Sequence, residues 1–237
     1  MEIITLLWNN YLYIPGFNFL VWVYLNYSGF NLGISIILIT ILLRIVLLPF
    51  TILNEKGKAA SQELAKEVAT IKQDMANDPV GQKEEIRKAF KKKKIRPWAK
   101  AVILGIQGMT LVLLYQIFIS GIDARSNLQL LYPSIPRPDF INTNFLGFDL
   151  AERSMILAGV VAGYLLIEII FHYWINKKGK TKKEQIFAIL FPTFVFLVLI
   201  ILPSVKSIFV LTSLVFSSII SMFIHFIKLS YNKAKQG

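Results

Sequence analysis

Cysteine is absent from the 237 residues, which excludes disulfides and thiolate-ligated metals. Histidine occurs only twice, and no HExxH-like spacing is present, so little is left for a metal enzyme. A glycine-rich phosphate loop, a serine nucleophile elbow and paired catalytic carboxylates are also missing. These absences point away from an enzyme, and no cofactor or metal site is expected. Acidic residues are few, 14 against 26 Lys and Arg, for a net charge of +12. That excess suggests nucleic acid only until its distribution is considered. With 55 % hydrophobic residues, a mean hydropathy of +0.57 and several apolar runs of spanning length, the chain reads as one polytopic membrane domain.

The stretch Ile34 to Leu53, ISIILITILLRIVLLPFTIL, is long enough at about 1.5 Å per residue to cross a ~30 Å hydrocarbon layer. It carries one charge, Arg44, near its middle. Insertion scales place an arginine there at roughly +2.5 to +3.5 kcal/mol, so such a residue usually faces protein or a wet cavity. Thr40 one turn before and Thr51 two turns after share its face on a continuous helix. Two readings stand: Arg44 snorkels to the inner headgroups or meets a structural partner, or it sits in a polar groove within the membrane. Asn54, ten residues on, is about 15 Å away along a helix, a long reach to water.

Residues 1–31 hold no Lys or Arg and are rich in rings, among them Trp8, Tyr11, Tyr13, Phe17, Trp22 and Tyr24. Asn9, Asn10 and Pro15-Gly16 interrupt the segment, which reads as an amphipathic interfacial helix on the external face. The alternative is a first span or an uncleaved signal, although a basic n-region and a small-residue cleavage site are lacking. The first span covers residues 32–54, with Pro49 placed to kink its inner end. Residues 55–97 then form a charged helical hairpin. Leu64, Val68, Ile71 and Met75 make its apolar seam, Asn77-Asp78-Pro79 its turn, and Ile86 and Phe90 the stripe of the returning helix. Lys91, Lys92, Lys93 and Lys94 read either as a landing site for ribosomal RNA or anionic lipid, or as an ordinary positive-inside flank.

The second span covers 98–121. Gln107 and Gln116 point to roughly opposite sides of it, so only one can face a groove. Residues 122–152, with Pro133, Pro136 and Pro138, read as an irregular external loop. On the third span, 153–175, Tyr164, Glu168 and His172 form a polar stripe. Glu168 lies about 12 Å from the inner boundary, close to the depth of Arg44, so an ion pair between them, direct or through water, explains both charges. His172 alone reads as a headgroup-level histidine. A basic loop, 176–184, containing Lys182 and Lys183, leads to the fourth span, 185–203, and the fifth, 204–227. Ser213 and Ser217 share a face of the fifth span, for close helix approach or for groove lining. Lys206 is expected to snorkel at the outer boundary. A basic tail, 228–237, ends the sequence.

Lys and Arg number 13 in residues 55–100, 5 in 176–184 and 3 in 228–237, against none in 1–31 and two in 122–152. Five spans with the N-terminus outside and the C-terminus cytoplasmic put every basic segment inside a multi-pass plasma-membrane protein.

The sequence resembles the YidC/Oxa/Alb type of membrane protein insertase. The resemblance is carried by GISIILITILLRIVLLPFT followed by a charged hairpin, by KKKKIRPWAKAVILGIQ with glutamine at Gln107, by NFLGFDL, and by the FP…LPS pairing of the last two spans. Met109 stands where the family usually has proline, PSVK where it often has Pro-Ser/Ala-Gly-Leu, and Glu168 is outside the family motif. The resemblance implies an all-α fold of five spans around a polar groove, open to cytoplasm and lipid and closed outside. Arg44 would lie in the groove with Thr40, Gln107, Glu168, Tyr164, Ser213 and Ser217. It implies nascent membrane proteins as substrates, the ribosome at the hairpin and basic loops, the lipid bilayer as destination and the Sec translocon as a partner, with no specific nucleic-acid sequence recognised. A different class, a small ion- or proton-coupled transporter using Arg44, Glu168 and His172, would call for matched inverted repeats, and none is seen.

Overall fold

The structure, a computed structural model, describes residues 2–75, 78–92, 98–119, 122, 125–176 and 182–234. It consists of two units, residues 1–44 with 109–237 and residues 45–108.

The first unit begins with α1 (Glu2–Trp8), a π-helical turn (Asn9–Tyr13) and α2 (Ile14–Asn26), which follow one another without a break. The ring-rich segment expected on the membrane surface buries one face in protein. Phe17, Leu20, Val21 and Tyr24 recur at helical spacing and join the core with Ile117 and Phe118. The wide turn at Asn9–Tyr13 stands where Asn9 and Asn10 interrupt the apolar pattern, and Pro15, which has no N–H to give to the preceding turn, follows it at the start of α2.

Helix α3 (Leu32–Val46) is followed directly by α4 (Leu48–Asp74), with Pro49 in the first turn of α4. The expected first span is therefore broken at Leu47, and the expected boundary at residue 54 falls inside α4. Proline ends the preceding helix because its ring meets the carbonyl four residues back and it offers no N–H. Helix α6 (Trp98–Ile119) and α10 (Val205–Ala234) are long and apolar enough to cross a membrane over Ala101–Phe118 and Val205–Ile224. The α3–α4 pair adds a third candidate if the broken helix is one span. Two shorter apolar segments, Met155–Phe171 within α8 (Met155–Asn176) and Gln185–Ile201 within α9 (Lys182–Ile201), complete the set. The fifth expected span and the start of the expected tail form one helix, since α10 runs on past Lys228 and Lys233.

The loop expected to be irregular is stitched together. It contains α7 (Arg125–Leu128) and an antiparallel hairpin, β1 (Asn144–Phe145) with β2 (Phe148–Asp149). Leu146 and Gly147 both have positive φ, 51° and 84°, as a two-residue turn matched to strand twist requires. Gly33 on α3 lies against the Phe145 ring, where a side chain would collide. Asn18 donates to the carbonyls of Ile14 and Leu130 and accepts from Tyr132 N at 2.7 Å. Tyr24 Oη accepts from Asn142 N, Leu32 N donates to Asn142 O, and Tyr13 Oη donates to Asn127 Oδ1. Ser204 N and Val205 N donate to the carbonyls of Glu152 and Leu150. Buried backbone groups must find partners, and here the first helices, the loop and the α9–α10 turn satisfy one another.

The second unit contains the hairpin of α4 and α5 (Pro79–Lys92) and the part of α6 up to Gly108. Leu64 on α4 and Ala89 on α5 are buried, with Val68, Ile71, Met75 and Ile86 half-buried along the expected seam. The side chain of Phe90 lies outside the described residues. Asp78 caps α5, accepting from Gly81 N through Oδ1.

Replacing Asn18 with Leu removes both bonds to the loop and leaves Leu130 O and Tyr132 N unpaired. At about 1–3 kcal/mol per buried unsatisfied group the loss should be roughly 2–4 kcal/mol. Thermal unfolding in detergent should show it, with faster proteolysis between residues 129 and 143.

Candidate functional site

Along α3, Leu32, Ile36, Thr40 and Arg44 step by four and are all buried, Arg44 to 9 % exposure. Ile34, Leu38, Leu42 and Ile45 on the other side are exposed. The guanidinium therefore points the way the apolar core points, away from the face that would meet lipid. The stripe turns from apolar to polar as it descends from the loop end. Thr40 Oγ1 donates to Ile36 O at 2.6 Å, which satisfies the hydroxyl within its own helix. Thr51 lies beyond the break at Leu47, so the sharing of one face that a continuous helix would give it does not hold.

Glu168 on α8 is half-buried and accepts from Ser218 Oγ on α10 at 2.8 Å. It forms no direct ion pair with Arg44 among the described residues, and its partner there is a hydroxyl on α10. Ser218, which tethers Glu168, is adjacent to Ser217 and was not singled out by the spacing of Ser213 and Ser217. Tyr164 and Ser217 are half-buried, and Ser213 is buried with its hydroxyl unbonded. Gln116 accepts from Trp8 Nε1 and so meets a neighbouring helix. Gln107 is half-buried and belongs to the second unit. The side chains of His172, Lys91, Lys92, Lys182 and Lys183, and all of Lys93 and Lys94, lie outside the described residues.

Burial changes along α10. Ser204 to Phe209 are buried at the loop end, whereas Ser217, Ser218 and Ser221 are only half-buried further on. Lys206 falls in the buried part, at 2 % exposure, with Nζ 3.9 Å from the centroid of the Tyr115 ring. The expectation that it snorkels to the boundary is corrected, because the stitched loop covers the first turn of α10. A cation–π contact is worth about 0.5–2 kcal/mol, less than the several kcal/mol that removing an ammonium from water costs. The ring contact offsets only part of that cost.

Apolar helices of spanning length, with a lipid-like exposed face and a buried face that carries a cation, define a multi-pass membrane protein of all-α build. A model of the 60Kd inner membrane protein family matches residues 22–231, and the chain belongs to that family, the one that contains the YidC, Oxa and Alb proteins. The membrane protein insertase YidC of Fusobacterium nucleatum is 34 % identical over 97 residues, which is 41 % of this chain and 47 % of the relative. That of Clostridium tetani is 29 % identical over 102 residues, 42 % and 46 % of the two chains. That of Aquifex aeolicus is 31 % identical over 125 residues, 53 % and 24 %. The matched stretches span less than half the length of each of these relatives.

Ser218→Ala should strand the Glu168 carboxylate and lower stability by roughly 1–3 kcal/mol. Glu168→Gln, which keeps an acceptor for the hydroxyl, should lose less. Equal losses in detergent unfolding would show that the contact does not depend on charge.

Proposed function

We propose that the chain is a membrane protein insertase that helps nascent transmembrane segments into the bilayer through a polar groove containing Arg44. The observation that carries this reading is the buried stripe of α3, which ends in Thr40 and Arg44 while its exposed face stays apolar. Family membership and the chain's likeness to bacterial insertases support it. In this reading the broken α3–α4 pair, α6, α8, α9 and α10 supply five spans. The N-terminus is outside, and the charged hairpin and C-terminus are cytoplasmic, as the distribution of Lys and Arg favours. Gln107, Tyr164, Glu168, Ser213 and Ser217 line the groove with Arg44. The ribosome approaches the hairpin and basic loops at Lys91–Lys94, Lys182 and Lys183, and the Sec translocon takes over substrates with long charged tails.

The energetics need no nucleotide. Burying about 20 apolar residues drives partition at about 25 cal/mol per Å². The groove shortens the dry distance crossed by the polar tail, and an acidic tail moving outward gains about 2.3 kcal/mol per charge per 100 mV. Arg44 gives such a tail a counter-charge at the deepest point it must pass. A coupled transporter is not favoured, since Glu168 is held by Ser218.

Purified protein in liposomes should insert a single-span substrate with a short acidic tail. Arg44→Ala should lower the yield roughly tenfold, the equivalent of ~1.4 kcal/mol, and Arg44→Lys should restore most of it. Full activity of folded Arg44→Ala would remove the arginine from the mechanism.

A further inference from the structure

The polar face of α10 continues past Ser213 toward the loop end. Lys206 is seven residues before Ser213 and eleven before Ser217, and at 100° per residue all three lie on one face, with Val210 between. Lys206 is buried, makes no ion pair among the described residues, and has the Tyr115 ring over its ammonium. Ser213 on the same face has a buried hydroxyl without a hydrogen bond. Tyr115 itself is 39 % exposed, so the ring that contacts the cation borders the surface.

We propose that Lys206 is a second cationic station, at the closed end of this face, that receives the carboxylates of a short acidic tail once Tyr115 swings aside. The inference rests on the insertase reading. Leu32 and Val205 are both bonded to the stitched loop, and Arg44 lies twelve residues further along α3, so the two cations are divided along the bundle by about 18 Å. A tail carboxylate that leaves Arg44 in the outward direction meets the hydroxyls of Ser217 and Ser213 and then an ammonium held in a poor environment. An anion compensates that ammonium better than a ring does, because a hydrogen bond between two charged groups is the stronger contact. Lysine suits the role, since its compact ammonium presents three donors that turn to any approach direction. The substrates selected are those whose translocated tail carries Asp or Glu within a few residues of its apolar segment.

The test uses the full chain in liposomes with two substrates that differ only in the tail, a pair of aspartates or a pair of asparagines. Lys206→Met should reduce insertion of the aspartate tail roughly tenfold, the size of one charged hydrogen bond, and leave the asparagine tail unchanged. Lys206→Arg should retain both. Unchanged insertion of the aspartate tail by Lys206→Met would overturn the proposal. Equal loss of both tails is the mark of a structural lysine or a misfolded variant. The wild-type protein decides that case, with an aspartate-tailed substrate arrested by a folded domain fused behind its apolar segment. Carbodiimide coupling should join the tail to Lys206 in an amide detectable by mass spectrometry, and its absence would overturn the proposal. If the wild type inserts neither tail, the insertase reading fails and this inference with it.

Discussion

A permanently charged side chain within an apolar helix is the constraint from which the rest of this structure follows. Arg44 cannot be deprotonated in practice, and its helix ends only two residues later, at Val46. The exposed residues around it, Ile45 and Val46, offer lipid and nothing else. The arrangement found here keeps the guanidinium from hydrocarbon by turning it inward, to 9 % exposure. Turning it inward directs that face of α3 toward protein and leaves its opposite face exposed. The same division recurs on α10, where Ser213 and Ser217 share a face and Ile219 is exposed.

The groove proposed for this bundle must be closed at one end if it is not to leak. The loop end is held together by hydrogen bonds that need no charge. Asn18, Tyr24 and Tyr13 reach from the first helices to the loop, and the loop carbonyls of Leu150 and Glu152 hold the start of α10. Apolar residues such as Phe17, Ile117 and Leu150 fill the space beneath. Burial then falls along α10 toward its far end, where the serines are half-buried. A closed end and a looser end follow from where the apolar side chains were placed, and that polarity gives the proposed groove its direction.

Much of this was legible in the residues. The charge in the Ile34–Leu53 run, the hairpin seam from Leu64 to Met75 and the apolar helices all rest on periodicity and composition, which a sequence displays directly. The break at Leu47 was signalled by Pro49, although its consequence, one helix from Leu48 into the hairpin, was not. What could not be read depended on distant partners. Nothing local tells that Ser218 would hold Glu168, 50 residues away, or that Asn18 would clamp residues 130–132. The burial of Lys206 depends on the loop that covers it. A lysine at a helix start ordinarily reaches water, and only the folded loop removes that option.

The lack of cysteine allows the central claim to be tested with single thiols. With cysteine at Ser217, on the proposed groove face, or at Ile219, on the exposed apolar face, vesicles can be treated with a membrane-impermeant maleimide added to the side that carries the charged hairpin. A water-filled groove predicts rapid labelling at Ser217 and none at Ile219. Equal protection at both positions would mean that no water reaches the interior of the bundle, and that Arg44 is a structural charge in a dry core.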